Sequence, residues 1–192
     1  MFNDGNIKFA FSWSGGNYHC MRAEAAVELV NRLKSAINSD DFKDNEPITL
    51  IGHSHGGNVA IEAVNMMVQM KEFDGREINI LTINTPVRDD YQLSEAAKNR
   101  VNHANVYDTS DPVQINGGNS MSFSLGEPSN KYGGEFGPAG RTFINAKNIK
   151  VDDPQGLIKS IKTPISTYHY LNFDFHNSHN RVDTWIDKTK QK

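Results

Sequence analysis

An α/β fold, a parallel sheet flanked by helices on both faces, is what the 192 residues predict, and three observations predict it. Short apolar runs of strand length recur along the chain. Helix-period segments separate them, so that strands and helices alternate. A glycine-rich turn, Gly52-His53-Ser54-His55-Gly56, joins one such strand directly to one such helix. In a sheet of this kind a site lies at the carboxyl ends of the strands, where that turn falls.

Residues 7–13 alternate well enough for a first strand, broken by Ser14-Gly15-Gly16-Asn17. Ala26, Leu29, Val30, Leu33 and Ile37 then fall on one face of an amphipathic helix over residues 21–37, with Glu24, Glu28, Arg32 and Lys34 elsewhere. The acidic stretch 38–47 reads as a solvated loop. A strand over 48–51 leads into the glycine turn. Residues 59–70 are apolar nearly all round, which predicts the most buried helix, its methionines filling core. Residues 78–83 form the next strand, 93–99 a short helix, 104–107 a fourth strand, 142–151 a last strand and 181–188 a closing helix. Residues 114–140 are rich in Gly, Asn and Ser without a period, a long loop that is either a functional cover or a loose insertion. The whole reads as one domain, 1–192.

Composition narrows the function classes. A charged fraction of 22% and a net charge of −3, with no basic cluster carrying interleaved aromatics, argue against a nucleic-acid partner. Cys20 is the sole cysteine, so there is no intrachain disulfide framework. No signal peptide and no membrane-spanning run is visible, which predicts a soluble chain and leaves its location undetermined.

The chemistry is concentrated in residues 48–59. A Gly-x-Ser-x-Gly turn between strand and helix holds its serine in strained geometry and presents Ser54 Oγ at the tip. The two flanking glycines, Gly52 and Gly56, are expected to allow the close strand–helix approach. The amide of His55, at the helix N-terminus, is the expected oxyanion donor. A serine needs a base, and the base needs an orienting acid, following it in the order Ser, Asp, His on sheets of this type. Asp108 and Asp111 both follow the fourth strand. Asp111 is preferred because Pro112-Val113 would anchor its loop, while Asp108 reads as a turn cap. Of the seven histidines, His53 and His55 flank the nucleophile, His19 and His103 precede the acid, and His169 lies between two tyrosines. His176 is the first choice for the base and His179 the second.

Two other readings of these residues are weaker. The pairs His53/His55 and His176/His179 have the residue type for zinc, but no acidic residue follows the first closely, so no metal and no cofactor are expected. A phosphate-binding loop fails because no lysine follows Gly57.

With these motifs in hand, the chain resembles the lipase/esterase branch of the α/β-hydrolases, and most of all the bacterial lipase-like effector or toxin domains at the C-terminal ends of Rhs-type proteins. The residues that carry the likeness are Phe11-Ser12-Trp13-Ser14-Gly15, the 51–58 turn, Asn84-Thr85-Pro86, Asp111-Pro112-Val113 and the loop holding His176 and His179. The resemblance implies an acyl-enzyme mechanism on a lipid, phospholipid or small ester, with Ser54 as nucleophile, Asp111 as acid and His176 or His179 as base. It makes a lid one reading of 114–140, beside the loose insertion, and a cognate immunity protein one partner open to an exported effector. One departure stands out: the strand and loop that supply such enzymes' second oxyanion amide are expected to be missing, with six residues preceding the first strand. An upstream segment, another chain or the turn at 12–17 would have to supply it. Thioesterase or acyltransferase activity shares the chemistry. A non-catalytic binding module of the same fold is the rival class.

Overall fold

The computed structural model describes residues 10–16, 18–39, 42, 45–111, 114–115 and 139–151. Among them, α1 (His19–Ile37), β1 (Ile48–His53), α2 (His55–Met67), a 3-10 turn (Lys71–Phe73), β2 (Ile78–Ile83), α3 (Glu95–Lys98), β3 (Val101–Tyr107) and β4 (Lys147–Lys150) follow in chain order. The four strands form one all-parallel sheet in the order β1-β2-β3-β4. This is the alternating α/β arrangement that the sequence pattern predicts.

Burial explains each element. β2 is buried along its whole length, as a central strand covered on both sides must be, and its run Ile-Asn-Ile-Leu-Thr-Ile is apolar at four of six positions. β1 alternates instead, burying Ile48 and Leu50 and leaving Thr49 and Ile51 exposed. Ile48, Leu50, Ile78, Ile80 and Val101 share one core cluster with α1 and α2, which identifies the helix-side face of the sheet. α1 buries Arg22, Ala25, Ala26, Leu29, Val30 and Leu33, a stripe at helical spacing that packs on α2. α2 buries eight of its thirteen residues and lies against β1 and β2. It also pins the approach to α3: Asn65 Nδ2 donates to Gln92 O at 2.9 Å, and Asn65 Oδ1 accepts from Ser94 N at 2.8 Å.

Three expectations change. Residues 10–13, expected to complete a first strand, have no regular secondary structure, and 7–9 lie outside the described residues. The helix expected over 59–70 runs His55–Met67, because it starts directly from the glycine turn. The last strand is Lys147–Lys150 rather than 142–151. Asn148 Oδ1 accepts from Phe143 N at 3.0 Å and its amide donates to Phe143 O at 2.8 Å, so the side chain closes a turn where the strand was expected to begin. The closing helix expected at 181–188 lies outside the described residues.

The parallel register brings three chain segments to one edge. Ser54 N donates to Ile83 O at 3.0 Å, continuing the β1–β2 ladder by one residue, and Asn84 N donates to Val106 O at 2.9 Å, continuing β2–β3. Asp108 N donates to Asn84 Oδ1 at 3.3 Å. Ser54, Asn84 and Asp108 therefore stand in sequence along the carboxyl rim of the sheet.

Candidate active site

Ser54 links β1 to α2 with φ 53° and ψ −133°, a conformation that a residue bearing a Cβ avoids. The ladder bond from its amide and the helix start immediately after it hold the strain in place. His55, the first residue of α2, follows Ser54 directly, and the first amides of a helix have no intrahelical acceptor.

The glycines divide the work differently from the expectation. A Cβ on Gly52 would lie 2.6 Å from Gly56 O and from Gly57 N and Cα, all backbone, so strand and helix cannot approach with any side chain there. At Gly56, by contrast, a Cβ would meet nothing within 4 Å. The second tight position is Gly57, where a Cβ would lie 2.0 Å from Thr85 Oγ1. The close approach involves the segment after β2 as well as β1, which the pentapeptide alone does not reveal.

Behind the turn lies a polar cluster that the sequence reading overlooked. Arg22, fully buried on α1, donates from Nε to Tyr91 OH at 2.5 Å, and its guanidinium carbon sits 4.8 Å from the centre of that ring. Its Nη1 makes a long 3.5 Å contact to His55 Nδ1, the side chain next to Ser54. Tyr91 OH, accepting from Arg22, also lies 2.9 Å from His19 Nδ1, and His19 Nε2 faces Asp90 at 3.8 Å. The available signal was periodicity, since Arg22 is in register with Ala26, Leu29 and Leu33 on the buried stripe of α1.

The two aspartates after β3 have different surroundings. Asp108 Oδ1 accepts from both the amide and the hydroxyl of Ser110 at 2.7 Å, the pattern of a turn cap. Asp111 is only 6% exposed, and its Oδ1 accepts from Gln114 N at 3.3 Å. Pro112 and Val113 lie outside the described residues, as do His169, His176 and His179 and most of the 114–140 loop. The ends of that loop are described: Ala139 N donates to Ile115 O at 2.9 Å, and Gly140 pairs with Val87.

His103 has a structural environment inside β3. It is buried against Phe143, with ring centres 4.7 Å apart, and burial pushes its pKa down to about 4. Thr82 Oγ1 donates its single proton to Asn105 Oδ1 at 2.9 Å, so it accepts from His103 Nε2–H, also at 2.9 Å. The imidazole is neutral with its proton on Nε2. Among the described residues no three His, Cys, Asp or Glu side chains gather to hold a metal ion, and no helix is long and apolar enough to cross a membrane.

The strand–Ser54–helix turn and the carboxylate loop beyond β3 both fall within residues 2–115, the stretch that matches the family described as Lipase (class 3). The chain belongs to the class 3 lipase family. Searches of curated proteins and of solved structures give no match. Class 3 lipases hydrolyse lipid esters, so membership makes a carboxylic ester of a lipid the substrate class. The family match ends beside Gln114, so the residues of the expected base lie beyond it.

Proposed function

We propose that this class 3 lipase is a serine hydrolase that cleaves its ester through an acyl-enzyme on Ser54. The observation that carries the reading is the strained backbone of Ser54 between the half-buried strand β1 and the N-terminus of α2, a geometry maintained at an energetic cost and suited to exposing a nucleophile. In this mechanism His176 or His179 takes the Ser54 hydroxyl proton as Oγ attacks the ester carbonyl. Asp111, the buried carboxylate after β3, orients the imidazole and stabilises its cation. The tetrahedral oxyanion accepts from the His55 amide. The intermediate collapses as the imidazolium protonates the leaving alcohol, and a water molecule activated by the same base then releases the acid. Asp108, already engaged by Ser110, serves the turn instead.

The test is labelling with a fluorophosphonate probe. Labelling of the wild-type protein that disappears in Ser54→Ala, with a loss of at least ~10⁴-fold in esterase turnover, is the expected result. A folded wild-type chain that stays unlabelled points instead to a binding module, or to a site completed by an upstream segment or a partner chain. A role as an antibacterial effector rests on the sequence resemblance alone. Growth inhibition by periplasmic expression that is abolished in Ser54→Ala is its test.

A further inference from the structure

The turn at Asp108–Asp111 receives much of its hydrogen bonding from one residue remote in sequence. Arg141 Nη1 lies 2.8 Å from Asp108 O, 2.7 Å from Asp111 O and 3.1 Å from Gln114 Oε1. Two N–H bonds serve three acceptors there, so one of them is shared. Gln114 is almost fully buried. It donates from Nε2 to Thr85 O at 2.8 Å and from its backbone amide to Asp111 Oδ1 at 3.3 Å. Arg141 is itself fixed from behind, because its own carbonyl accepts from Asn105 Nδ2 at 2.9 Å, and its neighbour Gly140 exchanges two hydrogen bonds with Val87 at 2.8 and 3.0 Å.

We infer that Arg141 is a positioning residue for the Asp111 carboxylate, a clasp that fixes the backbone on both sides of the acid turn and, through Gln114, ties that turn to Thr85. The inference rests on the reading of Asp111 as the acid of a triad. It extends that reading by naming what sets the carboxylate's place. The contacts of Arg141 are to carbonyl oxygens at 108 and 111, so it acts on the shape of the loop. A guanidinium suits this role because its planar fork donates along several directions from one rigid group, whereas a lysine ammonium is a single point on a flexible stem. Displacing a catalytic group by about 1 Å is enough to lower turnover about 10²-fold.

The experiment measures kcat, KM, fluorophosphonate labelling rate and thermal midpoint for the full chain, for Arg141→Met and Arg141→Lys, and for Arg141→Met combined with Asp111→Asn. The expected result is a kcat about 10²-fold lower in Arg141→Met with KM within about twofold, and a loss of about tenfold in Arg141→Lys. In the Asp111→Asn background the same Arg141→Met change lowers kcat less than about twofold further, since its target is already gone. Wild-type turnover in Arg141→Met, an additive loss in the Asp111→Asn background, or failure of both single variants to fold each overturns the clasp. A wild-type chain that neither labels nor turns over overturns the hydrolase reading itself, and this inference with it.

Discussion

The turn that carries Ser54 is assembled from residues adjacent in the chain, Gly52 to Gly57, with Thr85 crowding Gly57 and Ile83 O accepting from Ser54 N. The loop that carries Asp111 draws its geometry from Asn84, Thr85, Gln114 and Arg141, spread over more than fifty positions of sequence. The first region is held by steric fit, where one added methyl group collides with backbone. The second is held by buried and partly buried hydrogen bonds, made by the side chains of Asn84, Gln114 and Arg141 and by the carbonyl of Thr85. The same rim of the sheet thus combines a part specified by contact distance with a part specified by donors and acceptors.

The sharpest way to probe the acid side is to separate its two carboxylates. Asp111→Asn is expected to lower kcat by 10³–10⁴-fold, about the effect of losing the orienting acid of a triad, with little change in thermal midpoint. Asp108→Ala removes two hydrogen bonds to Ser110 and is expected to lower stability by about 1 kcal/mol while kcat stays within about threefold. Steady-state kinetics beside urea denaturation distinguishes them, and an interchange of the two effects would reassign the acid.

The glycine turn is probed by moving one methyl group. Gly52→Ala forces backbone apart on both sides of the turn and is expected to destabilise the chain by about 3 kcal/mol or more, enough to abolish soluble expression. Gly56→Ala has open space in the first turn of α2 and is expected to be neutral or stabilising by up to about 1 kcal/mol. Equal behaviour of the two in a thermal melt would break the steric account.

The polar network on the helix side of β2 and β3 is probed by pH, with an effect spread gradually over more than two pH units. His103 has a folded-state pKa lowered from 6.5 to about 4 by burial. Above pH 6.5 the ring is neutral in both states and contributes no slope. Between 6.5 and 4 the unfolded chain takes up the proton and the folded chain does not, so stability falls as pH falls. Below about 4 the loss is complete at about 3 kcal/mol. Urea denaturation across pH 4–7 should show that decline in the wild type and a flatter line in His103→Gln. A slope unchanged by the substitution would assign the titration to other groups.

These contrasts also explain what could be read without coordinates. The strand expected over 48–51, which runs on to His53, the strand at 78–83, the amphipathic stripe of α1 and the turn at Ser54 depend on local period and on one strand–turn–helix junction, which adjacent residues encode. The distinction between Gly56 and Gly57 was not legible, because the crowding at Gly57 comes from Thr85. Arg22 and Arg141 were missed for a related reason. Each is an ordinary charged residue in sequence, and its role depends on partners from distant segments, Tyr91 between β2 and α3 in one case and the carbonyls after β3 in the other. The late start of β4 has the same origin, since the side chain of Asn148 closes its own turn.

The hydrogen bond between Ala139 and Ile115 has an evolutionary consequence. Ile115 and Ala139 meet across that bond, and closing a loop on anchors placed side by side costs about 0.6 kcal/mol more for each doubling of its length. Anchors so placed can accept sequences of different length between them while they themselves stay fastened to the body.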